Sequence, residues 1–157
     1  ESKNTEHLKN DFKTLVSFGG SDPNNITGLI SRFVNDRTDR NNFSFLIGPK
    51  FTKSISYFRK KFLDLHYLEP VESTLELIKK SDIVITAVGT TLQECEFSNK
   101  KTLIISNYKS DKHDIRKIKR SASEPSIYHF LNYFKDVDEE SFNDSYYVWA
   151  MITYKRY

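Results

Sequence analysis

Apolar residues in this chain come in short blocks, and the spacing between them changes from block to block. Residues 14–18, Thr-Leu-Val-Ser-Phe, are β-prone and stop at Gly19-Gly20, which predicts a buried strand running into a tight turn. Asn24-Asn25 then offers a helix cap, and Ile26, Leu29, Ile30 and Phe33 follow at helical spacing. After the polar connection 36–42, Phe43-Ser44-Phe45-Leu46-Ile47 predicts a second strand ended by Gly48-Pro49. Residues 54–62 suit a short helix, and 63–68 a weaker third strand. Val71, Leu75 and Ile78 mark the next helix, with Lys79 and Lys80 suiting its C-terminal dipole. Ile83-Val84-Ile85-Thr86-Ala87 is the clearest strand, stopped by Gly89. A helix from Thr90 and a strand over 102–106 complete the regular pattern.

Strands therefore alternate with helices, and the strands are continuous apolar runs. Both facts predict a parallel sheet covered on both faces, a Rossmann-like doubly wound α/β layout. The expected organisation is a polar lead-in over 1–12 and one domain over 13–157. Beyond Ser106 the pattern loosens. A basic helix is expected over 110–121 and another helix over 125–134. Residues 146–154 are apolar and aromatic and read as a packing helix, with strand left open.

In such sheets ligands bind outside the carboxyl ends of the strands. Two loops leave strands at that edge with suitable residues. In Gly19-Gly20-Ser21-Asp22-Pro23 the glycines allow a close backbone approach to a phosphate, beside the N-terminus of the following helix. Gly-Gly scarcity adds weight, since the chain has only 5 Gly and 4 Pro. In Gly89-Thr90-Thr91-Leu92-Gln93-Glu94 two threonines offer hydroxyls and backbone N–H groups at a helix start. Glu94, one turn on, offers a carboxylate that can accept from both hydroxyls of a ribose. Each loop alone also reads as an ordinary turn or helix cap. Together they describe a nucleotide site.

Composition changes this picture little. Lys+Arg is 24 against Asp+Glu 21, a net charge of +3, which gives no reason to expect a nucleic-acid partner. One cysteine, Cys95, excludes a disulfide framework and fits a reducing, cytoplasmic setting. No apolar run approaches the roughly 18 residues needed to span a bilayer. The first residues show no signal peptide, and the absence of an initiating Met leads to the expectation of a piece of a longer protein. His7, His66, His113 and His129 show no metal-ligand spacing; His66 is expected at a strand end near the site, solvated. Lys109, Lys112, Arg116, Lys119 and Arg120 recur at three-to-four spacing. They read as a solvated helix face, or as attraction to a diphosphate, a nucleic acid or the anionic inner face of a membrane, where peripheral association stays open. Asp82 precedes its strand, which argues against a phospho-acceptor module.

The segment 15–23, Leu-Val-Ser-Phe-Gly-Gly-Ser-Asp-Pro, resembles the start of the C-terminal half of the UDP-sugar hydrolases of pseudaminic acid biosynthesis and their spore-coat polysaccharide relatives. Leu46-Ile47-Gly48-Pro49 resembles their second strand, and residues 75–94 resemble their "helix, aspartate, strand, Gly-Thr-Thr, Glu" signature. The peptidoglycan N-acetylglucosaminyltransferase shares this half, a GT-B-type domain like the glycosyltransferase family 28 C-terminal domain. The resemblance covers residues 13–106. It implies UDP-sugar binding as substrate, with no cofactor and no metal, in cell-surface glycan or nonulosonic acid biosynthesis. It implies that Glu94 holds the ribose, that Gly89, Thr90 and Thr91 meet the diphosphate, and that Gly20 and Ser21, with Gly19 and Asp22 beside them, line the phosphate or sugar side. Leu68, in Tyr67-Leu68-Glu69, would present its main chain to the uracil. No catalytic residue is assigned, because the family's catalytic or acceptor half is N-terminal to this one. That half, or a partner chain, is the implied partner, and the isolated chain is expected to bind without turnover. The alternative is a non-catalytic subunit that recruits a partner glycosyltransferase half. The sequence departs from the family pattern at 95–101, which holds no Gly or Pro, and at 107–111, where Asn107 lacks the Gln that follows in the family.

Overall fold

The computed structural model describes residues 13–105, a few helical positions between 111 and 117, and the backbone of 128–131. Ten main elements follow in chain order: β1 Thr14–Ser17, α1 Ile26–Asn35, β2 Phe43–Leu46, α2 Ile55–Lys61, β3 His66–Leu68, α3 Leu75–Lys79, β4 Ile83–Thr86, α4 Thr90–Phe97, β5 Lys101–Ile105 and β6 Tyr128–Leu131. They form a six-stranded sheet of order β3-β2-β1-β4-β5-β6. Every pairing is parallel. The chain is therefore a Rossmann-like doubly wound α/β domain, as its strand–helix alternation predicts.

Side-chain alternation sorts the core into two layers. Val16, Phe45 and Ile85 face one way, where they meet Ile26, Ile30 and Val34 of α1 and Phe58 of α2. Leu15, Leu46 and Val84 face the other way and meet Ile78 of α3 and Cys95 of α4. The α1 trio is fully buried, and each such side chain contributes about 2 kcal/mol of transfer free energy. The first layer is rich in rings: Tyr67 stands 5.2 Å from both Phe45 and Phe58. Its hydroxyl donates to Ser31 Oγ on α1 at 2.8 Å, and burial pushes its pKa up to about 12. In the second layer burial likewise pushes the Cys95 thiol up to about 12.

Four expectations change. Tyr128–Leu131 is a strand, not part of a helix, and adds to β5 in parallel register. Its Tyr-His-Phe-Leu run has the ring-rich composition that a pleated sheet accommodates. The third strand begins only at His66: Phe62 closes α2, Leu65 N–H donates back to Phe62 O at 3.3 Å, and Leu63 lies 83% exposed. Helix α3 begins only at Leu75, so Pro70 to Ser73 stay in a loop. Asn25 does occupy the N-cap position of α1, but it is left-handed (φ 51°) and its side chain caps nothing. The described residues within 110–121 (111, 113, 114 and 117) are helical, as expected. Residues 1–12, Asn107 and the tail 146–154 lie outside the described residues. Among those described, no helix is long and apolar enough to cross a membrane.

Candidate functional site

Strand order creates the site. The chain leaves β1 toward β2 and β3 on one side, then returns to β4 on the other. The β1–α1 and β4–α4 loops thus emerge side by side at the carboxyl edge, the position where open α/β sheets take ligands.

Glycine geometry brings the loops together. Gly19 has φ +74°, a left-handed conformation that side-chain-bearing residues rarely adopt. Gly48, leaving β2, passes so close that a Cβ there would stand 2.2 Å from Gly19 O and 2.7 Å from Gly20 O. Lys50 N–H then donates to Gly20 O at 2.8 Å. The β2–α2 loop is in this way clamped beneath the Gly-Gly turn.

Two adjoining cavities result, both lined by Gly19, Gly20, Thr90 and Thr91. One, of about 190 Å³, adds an apolar wall of Ile47, Pro49, Pro70 and Val71, with Glu72, Thr74 and Glu94. The other, of about 300 Å³, adds Ser21, Lys50 and residues 86–89. The loop beyond β3 is anchored at the first cavity's rim: Arg59 donates to Tyr67 O at 3.2 Å and pairs with Glu69 at 3.8 Å. Glu94 is half-buried, and Thr74 Oγ1 donates to its Oε2. One carboxylate oxygen is so held while the side chain faces the cavity.

The two helix N-termini at this edge differ. Both oxygens of Asp22 accept from the first turn of α1, Ile26 N–H at 3.0 Å and Thr27 N–H at 2.7 Å. Asp22 is 7% exposed. It is the cap that Asn24-Asn25 was expected to supply, and its carboxylate sits where a ligand phosphate on α1 would. Helix α4 starts after Gly89, whose extended backbone provides no side-chain cap. Thr91 beside it is 5% exposed.

No protein-family model matches the chain, and no solved structure matches it. Over 101 residues it is 31% identical to an uncharacterized protein of Methanocaldococcus jannaschii, an alignment covering 61% of this chain. The chain spans 20% of that relative's length.

Of the sequence-predicted residues, Gly19, Gly20, Ser21, Gly89, Thr90, Thr91 and Glu94 line the paired cavities. Asp22 and Leu68 do not. Asp22 is turned onto α1. Leu68 ends β3 with its carbonyl accepting from Ile47 N–H at 3.0 Å, and its side chain packs on the second core layer and lines a separate cavity of about 250 Å³. His66 stands at the amino end of β3, away from the site, where its Nδ1 lies 3.1 Å from Ser44 Oγ. Sequence reasoning missed Lys50 and Thr74 as lining residues. Gly48-Pro49 was a visible signal for the first, being a second glycine turn at the same edge. Nothing local marks Thr74, which reaches Glu94 across 20 positions of sequence. Among the described residues no group of three His, Cys, Asp or Glu could hold a metal ion.

Proposed function

We propose that this domain binds the nucleoside diphosphate of a UDP-sugar, as the donor-binding half of a GT-B-type glycosyltransferase or nucleotide-sugar hydrolase. The observation that carries the reading is the pair of cavities joined at Thr90 and Thr91. One presents an apolar wall and a carboxylate, the other a cation and a helix N-terminus without a side-chain cap. A nucleoside needs the first kind of surface and a diphosphate the second. Glu94 Oε1 accepts from ribose hydroxyls while Thr74 holds Oε2. Pro49, Pro70 and Val71 flank the base. The groups that would attack or protonate the sugar lie outside this half, so the reading assigns no catalytic residue and expects binding without turnover. Calorimetric titration with UDP and UDP-N-acetylglucosamine tests it. Glu94→Ala should lose on the order of 1–3 kcal/mol of affinity, the worth of charge-assisted hydrogen bonds. No binding at millimolar ligand, or unchanged affinity in Glu94→Ala, sinks the proposal.

A further inference from the structure

Charge is divided unevenly between the two cavities. Among the described residues, every ionisable side chain lining the smaller one is a carboxylate, Glu72 and Glu94. Among the same described residues, the single ionisable side chain lining the larger one is Lys50. The nearest carboxylate in sequence to that larger cavity, Asp22, is buried against the α1 N–H groups. The α4 N-terminus opens between the two, and Thr91 is the polar side chain buried there. It is 5% exposed, and its Oγ1 faces the Gly19 turn at 4.0 Å from where a Cβ would stand.

We infer that Lys50 is the anion-binding cation of this domain: with the α4 N-terminus and the Thr91 hydroxyl it takes a diphosphate in the larger cavity, while α1 takes none. The inference rests on the reading of this edge as a nucleotide site and adds a residue, a polarity and an exclusion to it. Like charge keeps phosphate away from Glu72 and Glu94, so the ligand lies with its nucleoside in the smaller cavity and its diphosphate and sugar toward Lys50. Lys50 is well suited to this role by its backbone. Its N–H is fixed on Gly20 O, so the flexible, exposed side chain starts from a set point at the rim. Because that bond is made by main chain, substitution of the side chain leaves the loop clamp intact.

Titration of the 157-residue chain with inorganic pyrophosphate, with UDP and with uridine tests this. Lys50→Ala should weaken pyrophosphate and UDP roughly five- to tenfold and leave uridine unchanged. Lys50→Arg should recover most of the loss, and the wild-type pyrophosphate affinity should fall with added salt. Lys53→Ala, which removes a neighbouring lysine seated 4.6 Å over the Tyr57 ring, is the control for general surface charge and should change nothing. Unchanged pyrophosphate binding in Lys50→Ala overturns the inference, as does an equal loss in Lys53→Ala or no pyrophosphate binding by the wild type. If pyrophosphate binding depends on Lys50 but neither uridine nor UDP binds better than pyrophosphate, the nucleotide reading fails and the anion site stands.

Discussion

Helices α1 and α4 begin at neighbouring points of one sheet edge, each after a glycine turn, yet their first turns are satisfied differently. At α1 the chain supplies its own anion: Asp22 accepts two backbone N–H groups from a buried position. At α4 it supplies none, since Gly89 has no side chain to offer. A helix N-terminus attracts negative charge in either case. The difference lies in whether that charge is built in or left to a ligand. Two loops that look alike as glycine-rich turns thus have opposite characters, one a structural closure and one an open seat.

The most disruptive way to test the pairing is to remove the close approach on which the Gly19-Gly20 turn rests. Gly48→Ala places a Cβ 2.2 Å from Gly19 O, against backbone that has little room to yield. It should cost about 2–3 kcal/mol of stability and abolish ligand binding at both cavities, read by urea denaturation and titration. Asp22→Ala separates the two helices. Losing a buried cap should lower stability by about 1–2 kcal/mol, while UDP affinity at α4 stays within a factor of two. A large affinity loss with intact stability would show that the α1 end holds ligand after all. The smallest expected effect is alkaline. Cys95 anchors α4, and its thiol is raised from 9.0 to about 12. The Tyr67 hydroxyl, bonded to Ser31 of α1, is raised from 10.0 to about 12. Both folded values lie above the unfolded ones, so their contribution is complete below pH 9 and is lost as pH rises toward 12. By pH 10 the loss due to Cys95 should be on the order of 1 kcal/mol. Cys95→Ala should flatten the decline from pH 9, and Tyr67→Phe the part above pH 10.

Most of the sheet was legible because its strands are dense apolar runs ended by glycine. The runs 14–18, 43–47 and 83–87 each match a strand within a residue or so. Strand β6 was misread because Tyr128–Leu131 carries no glycine stop and lies beside a helix-like stretch; its pairing with β5 is a tertiary choice. The cap of α1 was misplaced for a similar reason. Asn, Ser and Asp all cap helices, and only the turn in which Asn25 N–H donates to Asp22 O at 3.1 Å decides which carboxylate or amide reaches the first turn. The segment 95–101 holds no Gly or Pro, and its turn is closed another way. Asn99 takes the left-handed position at φ 51°, with Asn99 N–H on Glu96 O and Lys100 N–H on Cys95 O closing the helix as a glycine would. Cavity composition was only half legible. Residues adjacent to the glycine turns, Lys50 after Gly48-Pro49 among them, carry a signal in the sequence, whereas Pro70, Val71 and Thr74 enter through folding.

Cys95 is the chain's one thiol, and it is wholly enclosed beneath α4. Alkylating reagents need an accessible thiolate, and this sulfur offers neither access nor charge while the domain is closed. Its labelling rate therefore counts the moments when α4 lifts from the sheet. A ligand seated on the first turn of that helix holds it down and slows the clock, so a single natural atom reports occupancy of the site without any probe placed in it.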